Sequence, residues 1–269
     1  MTIRRTLGLA AAALVIGATA AHAQNDVLRI GTEGAYPPWN ATDASGDLIG
    51  FEIELGLALC AELERTCEFV AQDWDGMIPA LLNGRYDLIM AGMSITEERQ
   101  QTITFSNGYA QTPAHFAAHP DSEHADIETI DHALDALDGA VIGVQVGTIH
   151  QNFITDHLPN AELRFYDTQD QLNLDLVAGR IDAGLADVTA WIDLNEAEGD
   201  EAAVTIGEPM TGVDFEVFGA GVGVGMRHDD TELHDQVNAA LAALHENGTL
   251  EALAHEWFGF DASLEQPGS

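Results

Sequence analysis

The chain has 269 residues, of which 45 are Asp or Glu, 9 are Arg and none is Lys, so its formal net charge at pH 7 is −36. So acidic a surface repels nucleic acid and anionic lipid, which excludes both as partners. Because 46% of the residues are hydrophobic and lie along the whole chain, we expect a folded protein and not a disordered acidic segment. The length suits two modest lobes better than one core.

The first residues have the organisation of a secretory signal peptide. Two Arg residues within 1–5 precede an apolar or small-residue run at 7–21, and Ala21-His22-Ala23 supplies a small-x-small cleavage site. A membrane anchor is disfavoured because the run is too short. We therefore assign residues 1–23 to a signal peptide and expect a periplasmic protein.

Short β runs alternate with helical patterns along the chain, which is typical of an α/β protein. In the first half the patterns predict strands at 27–31, 67–71 and 86–91 and helices at 52–63 and 76–82. In the second half they predict strands at 140–146, 163–166 and 181–186 and helices at 151–158 and 169–178. Two final helices are predicted at 231–246 and 249–257. Within the first helix, Ile53, Leu57 and Cys60 form the predicted buried face.

The chain has two cysteines, Cys60 and Cys67. In an oxidising compartment such a pair forms a disulfide, and its spacing excludes a redox C-x-x-C motif. The histidines His115, His119 and His124 lie close together in the sequence, but neither a cysteine nor a regular helical spacing supports zinc. We expect no metal.

Two segments share one layout, which indicates internal repetition. Residues 82–89 and 177–184 each combine a helix end, a glycine, an arginine and a strand that opens with an aspartate, Asp87 or Asp182. The segments lie too far apart for a solenoid repeat, so they predict two similar α/β lobes. We interpret the repeated Arg and Asp as structural.

Glycine occupies every second position from Gly219 to Gly225. Phosphate-binding loops space their glycines differently and open directly into a helix, and no Lys is available to reach a phosphate. Alternating glycines instead predict an extended segment with a flat face that another segment approaches closely. We expect neither a nucleotide nor another cofactor.

The stretch from residue 91 to residue 99 carries the clearest chemical signal. A buried strand ends at Ala91 and Gly92, and Ser94 and Glu97 have the spacing of a capping box at a helix start. Free N–H groups at that start, with the guanidinium of Arg99, would form a carboxylate-binding site. A purely structural pairing of Arg99 with a glutamate is the alternative.

With these motifs the sequence resembles the periplasmic substrate-binding proteins of polar amino-acid ABC importers, in the branch of solute-binding family 3 that binds lysine, arginine, ornithine, histidine and opines. The matching motifs are Glu33-Gly-Ala-Tyr-Pro-Pro-Trp39, Gly50-Phe-Glu-Ile53, both cysteines, Asp73-Trp-Asp-Gly-Met-Ile-Pro79, residues 91–99, Gly147-Thr148, Ala178-Gly-Arg-Ile-Asp182, Asp187 and Trp257-Phe-Gly-Phe-Asp261.

The resemblance implies the type II periplasmic binding protein fold, in which two mixed sheets flanked by helices are joined by a two-strand hinge. Lobe 1 would comprise residues 24–112 and 216–269, and lobe 2 residues 113–215. The lobes would close on an amino acid and deliver it to an inner-membrane ABC permease. We expect a monomer.

Carried over by position, the resemblance implies ten ligand-binding residues: Glu33, Tyr36, Trp74, Ala91, Gly92, Ser94, Arg99, Thr148, Ile149 and Asp187. Arg99 would clamp the α-carboxylate, with help from Ser94 and from backbone amides near Thr148. Asp187 would accept the α-ammonium together with Gly92 and Ser94. At the other end Glu33 would meet a distal positive charge.

Between these ends, Tyr36 and Trp74 would face each other across the ligand side chain. Two aromatic faces and an acid suit a flat guanidinium best, so L-arginine is expected first, then ornithine and lysine. The sequence departs from the usual pattern of lysine/arginine/ornithine binders, which have serines at Ala91 and Gly92 and glutamine at His150.

Three alternatives stay open. An octopine-like or nopaline-like opine, or histidine, would use the same pocket. A receptor for signalling would use it too. An enzyme resembling cyclohexadienyl dehydratases would use Glu33 or Asp187 as an acid, but two acids repel a dianionic substrate, so we expect no enzyme.

Overall fold

The computed structural model describes residues 27–199, 201–264 and 266. The predicted signal peptide, residues 1–23, lies outside these residues. The strands are β1 (Val27–Thr32), β2 (Ala35–Tyr36), β3 (Asn40–Thr42), β4 (Leu48–Ile49), β5 (Thr66–Ala71), β6 (Leu88–Ile89), β7 (Thr104–Phe105), β8 (Ala114–Ala118), β9 (Val141–Gln145), β10 (Glu162–Tyr166), β11 (Ala183–Asp187), β12 (Val204–Met210) and β13 (Gly225–Met226).

The α-helices are α1 (Phe51–Glu62), α2 (Met77–Leu82), α3 (Glu97–Gln100), α4 (Ile130–Ala136), α5 (Ile149–His157), α6 (Gln169–Val177), α7 (Val188–Glu198), α8 (Thr231–Glu246) and α9 (Thr249–Phe258). Short 3₁₀ turns lie at Trp74–Gly76 and Glu216–Phe218. None of the helices in the described part of the chain has the length and apolar character needed to span a bilayer.

Two mixed five-stranded sheets organise the molecule. The first has the order β5-β1-β6-β13-β7, and the second has the order β10-β9-β11-β8-β12. In each sheet one strand, β1 or β9, pairs in parallel with both of its neighbours, and antiparallel strands complete one edge. A small antiparallel sheet, β2-β3-β4, follows β1. This architecture confirms the predicted fold class.

The chain passes between the two large sheets twice, once from β7 to β8 and once from β12 to β13. The hinge predicted for these crossings and the lobe boundaries at residues 112/113 and 215/216 stay predictions. Trp39 connects the two halves away from the crossings: its Nε1 donates to Thr189 Oγ1 at 3.1 Å, and both side chains are buried.

The repeated Gly-Arg-x-Asp segments have the same structural task in the two sheets. The carboxylate of Asp87 accepts the backbone N–H of Arg29 in β1 at 3.1 Å, and that of Asp182 accepts the N–H of Val141 in β9 at 2.8 Å. In both cases the aspartate N–H also donates back to the carbonyl of the same strand residue, at 2.8 Å. Each aspartate therefore fixes the start of the central parallel strand.

The alternating glycines allow the close approach that the sequence predicts, but the segment is not extended throughout, because Gly219 and Gly221 have φ of 74° and 93°. A Cβ at Gly219 would lie 2.3 Å from the carbonyl oxygen of Ile95, and a Cβ at Gly221 would lie 2.4 Å from Leu264 Cδ1. The close approach lets Ile95 N–H donate to Gly221 O at 2.8 Å and Ala220 N–H donate to Ile95 O at 3.0 Å. The glycine segment, residues 219–225, thereby holds the loop that carries Ser94.

Several local predictions need correction. The strand expected at 86–91 pairs only over Leu88–Ile89. In α1 the buried face contains Phe51, Leu55 and Leu59, whereas Leu57 is 53% exposed, because the helix buries two adjoining rows and Leu57 lies outside both. Helices α4 and α7 were not predicted.

The predicted disulfide is present between Cys60, near the end of α1, and Cys67 in β5, with their Cα atoms 5.9 Å apart. It ties the first helix to the edge strand of the first sheet. The described residues contain no group of three or more His, Cys, Asp or Glu placed to hold a metal ion.

Candidate functional site

A narrow cavity of about 20 Å³ lies between the two sheets. That volume holds about one water molecule, so the site is nearly closed. All ten residues named from the sequence line it, together with Gln145 and His150: Glu33, Tyr36, Trp74, Ala91, Gly92, Ser94, Arg99, Gln145, Thr148, Ile149, His150 and Asp187. The structure therefore brings the predicted residues together; their binding roles are taken up below as a proposal.

Arg99 supplies a partly buried positive charge to this cavity. It lies in the short helix α3, its Nη1 donates to the carbonyl oxygen of Ser94 at 3.0 Å, and its guanidinium lies 5.2 Å from the ring centre of Trp74. Burial lowers the pKa of Arg99 to about 10, which still leaves it protonated at neutral pH. Among the described residues no carboxylate forms an ion pair with it.

Helix α3, which contains Arg99, begins later than the sequence predicts. Thr96, and not Ser94, is the N-cap of α3, and its Oγ1 accepts the N–H of Arg99 at 3.3 Å. Ser94 instead bridges to Val222 in the glycine segment. The predicted capping box is wrong because pairing with Val222 keeps Ser94 extended, yet Ser94 still reaches the cavity wall.

The second strand-to-helix turn matches the prediction. Thr148 is the N-cap of α5, its Oγ1 accepts the N–H of Gln151 at 3.2 Å, and it donates to the carbonyl of Gln145 at 2.8 Å. Gly147, with φ of 71°, makes the tight turn before it. The N-terminus of α5 therefore reaches the cavity wall at Thr148 and Ile149, where the partial positive charge of the helix favours an anion.

Asp187 supplies a carboxylate to the same region. It ends β11, and its two oxygens accept hydrogen bonds from the Tyr36 hydroxyl at 2.8 Å and from Thr112 Oγ1 at 3.0 Å. Tyr36 belongs to the segment after β1, so this bond joins the two halves of the molecule. No arginine forms an ion pair with Asp187 among the described residues.

Glu33 places a second acid in the cavity. It is 8% exposed, and its Oε1 accepts a hydrogen bond from Gln145 Nε2 at 2.7 Å, again across the two halves. Burial raises the pKa of Glu33 to about 7, although the Gln145 hydrogen bond opposes the rise; Asp73, Asp170 and Glu52 add to it. A nearby cation would favour the ionised form of this carboxyl.

Trp74 forms part of the wall between these ends. Its Nε1 donates to the carbonyl of Gly147 at 3.1 Å, so the ring is fixed by a contact between the halves while its face lies near Arg99. Tyr36 is fixed through Asp187. The predicted face-to-face placement of the two rings across a ligand stays a prediction.

Gln145 and His150 were missed as cavity residues. Gln145 ends β9 directly before the predicted turn, so its place at a strand end was the available signal. His150 is buried in the first turn of α5 and packs at 6.2 Å against Phe218. Burial lowers the pKa of His150, so the imidazole is neutral at pH 7.

Residues 28–260 match the family described as bacterial extracellular solute-binding proteins, family 3. The chain belongs to this family. The L-arginine-binding protein of Pseudomonas aeruginosa is 36% identical over 256 residues, which cover 94% of this chain and 96% of that relative. The octopine-binding periplasmic protein of Rhizobium meliloti is 33% identical over 295 residues, covering 96% of this chain and 99% of the relative.

A solved structure agrees with these sequence relationships. The periplasmic His/Glu/Gln/Arg/opine family-binding protein from Silicibacter pomeroyi, in complex with lysine, superposes with a TM-score of 0.75 at 35% identity. The superposition covers 88% of this chain and 100% of the Silicibacter pomeroyi chain. The recognition made from the sequence motifs is confirmed at the level of family and fold.

The raised pKa of Glu33 predicts a measurable pH dependence of stability. The folded-state pKa of Glu33, about 7, exceeds the ordinary carboxyl value of 4.5. The contribution of protonated Glu33 to folding stability is therefore fully present below pH 4.5, and it is lost as the pH rises through 7. Relative to Glu33→Gln, the free energy of unfolding of the wild type should fall by about 2 kcal/mol from about pH 5 to about pH 8. Urea unfolding at both pH values measures this free energy. An equal change with pH in the wild type and in Glu33→Gln would contradict the prediction.

Proposed function

We propose that this protein captures a cationic amino acid, with L-arginine preferred over ornithine and lysine, and delivers it to an ABC importer. The observation that carries the proposal is the partly buried guanidinium of Arg99, which has no ion-pair partner among the described residues. A charge partly withdrawn from water is costly unless an anion meets it. The α-carboxylate of an amino acid is such an anion.

The head-group site needs a partner for an ammonium as well as one for a carboxylate. Arg99 and the N-terminus of α5 serve the carboxylate, and a guanidinium binds carboxylates through two parallel hydrogen bonds. Asp187 serves the ammonium, since two hydroxyl donors hold its oxygens toward the cavity. Together these groups match a zwitterion.

At the tail end, Glu33 and Gln145 supply oxygen acceptors. A planar guanidinium donates several N–H groups in one plane, which suits a carboxylate and an amide better than a compact ammonium does. The rings of Tyr36 and Trp74 offer flat apolar faces between the ends. This combination favours arginine over lysine and ornithine.

The relatives support this assignment, since the L-arginine-binding protein of Pseudomonas aeruginosa shares 36% of aligned residues with this chain. The octopine-binding relative keeps an opine as the alternative ligand. An opine carries a carboxylated substituent on its α-nitrogen, which would lie near the Asp187 carboxylate and be repelled by it. We therefore rank opines below arginine.

Capture would proceed by closure of the two lobes around the ligand. Hydrogen bonds already join the halves at Glu33–Gln145, Tyr36–Asp187 and Trp74–Gly147. A ligand that contacts both halves binds the closed form better than the open one and shifts the population toward it. The closed form would be the one that an inner-membrane permease recognises.

The same cavity argues against catalysis. Glu33 and Asp187 both face it, and a dianionic cyclohexadienyl acid would meet two carboxylates and one guanidinium. We propose that the protein binds without transforming its ligand, and that it acts as a monomer in the periplasm.

A thermal-shift panel tests the ligand assignment. L-Arginine at about 100 times its Kd should add about 2.7 kcal/mol of stability, a rise in Tm of roughly 5–10 °C. Ornithine and lysine should give smaller rises at equal concentration, and octopine and histidine the smallest. A largest shift with octopine, or turnover of prephenate in the same preparation, would contradict the proposal.

Removal of the guanidinium should abolish binding of every amino acid. Arg99→Ala leaves a carboxylate buried without its partner, at a cost of about 3 kcal/mol or more, so Kd should rise at least ~100-fold. Calorimetry with arginine and glutamine measures the loss. Arg85→Ala is the matched control, because Arg85 is exposed and binds Gln72 outside the cavity. Retention of affinity within tenfold by Arg99→Ala would refute the clamp.

Neutralising Glu33, the acid at the side-chain end of the cavity, should weaken cationic ligands and leave the binding of neutral ligands nearly unchanged. Glu33→Gln should weaken arginine at least about tenfold, the worth of one charge-assisted hydrogen bond, and leave glutamine within about twofold. Glu54→Gln, which removes an acid in α1 outside the cavity, is the control. Equal losses for arginine and glutamine would show that Glu33 does not read the ligand charge.

A further inference from the structure

A third acid, Glu52, lies behind the cavity and makes no contact with the ligand in the proposed function. Glu52, in the first turn of α1, is fully buried and does not line the cavity. Among the described residues it forms no ion pair. Burial raises the pKa of Glu52 to about 7, although its hydrogen bonds oppose the rise. Burial of an acid without an ion-pair partner is unfavourable, so its hydrogen-bond partners should reveal what it stabilises.

The Glu52 carboxylate holds the loop that forms the head-group end. The N–H of Gly92 donates to both carboxylate oxygens, at 2.8 and 2.9 Å. Gly92 lines the cavity two residues before Ser94, and its φ of 62° is a conformation that only a glycine adopts freely. Because a glycine loop has little stiffness of its own, an external tether decides where its peptide points.

The same carboxylate also reaches the tail end, through Asn40. Asn40 Nδ2 donates to Glu52 Oε2 at 2.8 Å, and Asn40 Oδ1 accepts the N–H of Gly34 at 2.8 Å. Gly34 directly follows Glu33 and has a φ of 74°. A continuous buried network therefore runs from the Glu33 loop to the Gly92 loop.

The first crossing between the sheets joins the network as well. The hydroxyl of Tyr109 donates to Glu52 Oε1, and Tyr109 lies between β7 and β8, where the chain passes from one sheet to the other. The neighbouring Ala110 bridges to Val222 in the glycine segment. One carboxylate thus accepts hydrogen bonds from the Gly92 loop, from Asn40 and from the connection to the other half.

We propose that Glu52 is a positioning residue for the ligand site, holding the Gly92 loop directly and the Glu33 loop through Asn40 so that both ends of the cavity keep their spacing. The inference rests on the proposed function for its ligand but not for its geometry. Glu52 contacts no ligand in this scheme; it acts through the two glycine loops. Its loss should therefore weaken the binding of neutral ligands, and that of cationic ligands at least as much, because Glu33 is displaced too.

Glu52→Gln tests the proposal, because it keeps the shape of the side chain while an N–H₂ group replaces one acceptor oxygen. At about pH 8, the N–H exchange of Gly92 and Gly34 in the free protein should accelerate about tenfold or more, with β9 unchanged. The Kd for glutamine should rise about tenfold, and the Kd for arginine should rise by at least as much. Glu54→Gln, on the same helix, should change neither quantity by more than about twofold.

Asn40→Ala provides an independent variant that cuts only one branch. It should accelerate exchange at Gly34 and leave exchange at Gly92 within about twofold, and it decides the matter if Glu52→Gln does not fold. Unchanged exchange at both glycines, or exchange that rises equally in β9, would overturn the proposal, since the second result is global destabilisation.

An unchanged Kd for glutamine in Glu52→Gln would also overturn it, because the head-group end of the cavity would then not depend on the Glu52 carboxylate. A wild-type protein that binds no amino acid would instead refute the proposed function. The exchange rates of the free protein would still decide whether Glu52 holds the loops.

Discussion

The structure depends on one electrostatic constraint: the guanidinium of Arg99 is partly buried at a place where no acid of the described chain pairs with it. Its support comes from the Ser94 carbonyl and the face of Trp74, neither of which carries a full negative charge. A folded protein tolerates such an arrangement when its charge has another use. The acids of the cavity, Glu33 and Asp187, are held by neutral donors, so they too keep their charge for something else.

The fold explains how these charges meet. Parallel strands place the residues at their carboxyl ends along one edge of a sheet, where ligand sites of α/β proteins form. Glu33 follows β1, and Gln145 and Asp187 end β9 and β11. The two sheets present these edges to each other, so two acids and a guanidinium line one cavity without forming ion pairs with one another in the described residues.

The sequence predicted much of this because the informative residues lie at element boundaries. Helix α8 was predicted with its observed ends, and the repeated aspartates and alternating glycines have the structural tasks expected of them. The ten predicted residues share one cavity because their motifs follow strand ends.

What failed depended on contacts distant in the chain. Ser94 appeared to cap a helix, but pairing with Val222 keeps it extended, and no local pattern reveals that partner. Gln145 acquires its place only through Glu33, in the other half. Leu57 is exposed because α1 packs along rows that a single spacing rule does not distinguish. Local patterns specify elements, whereas packing selects faces and partners.

The hydrogen bond between Trp39 and Thr189 has a consequence for how such a receptor can diverge. The two side chains join the halves, yet neither lines the cavity. In the lobe closure proposed above, a change there would alter the balance of open and closed molecules and scale the affinity for every ligand by one common factor. Affinity and ligand selectivity would then be set at separate positions, so that one could evolve without the other.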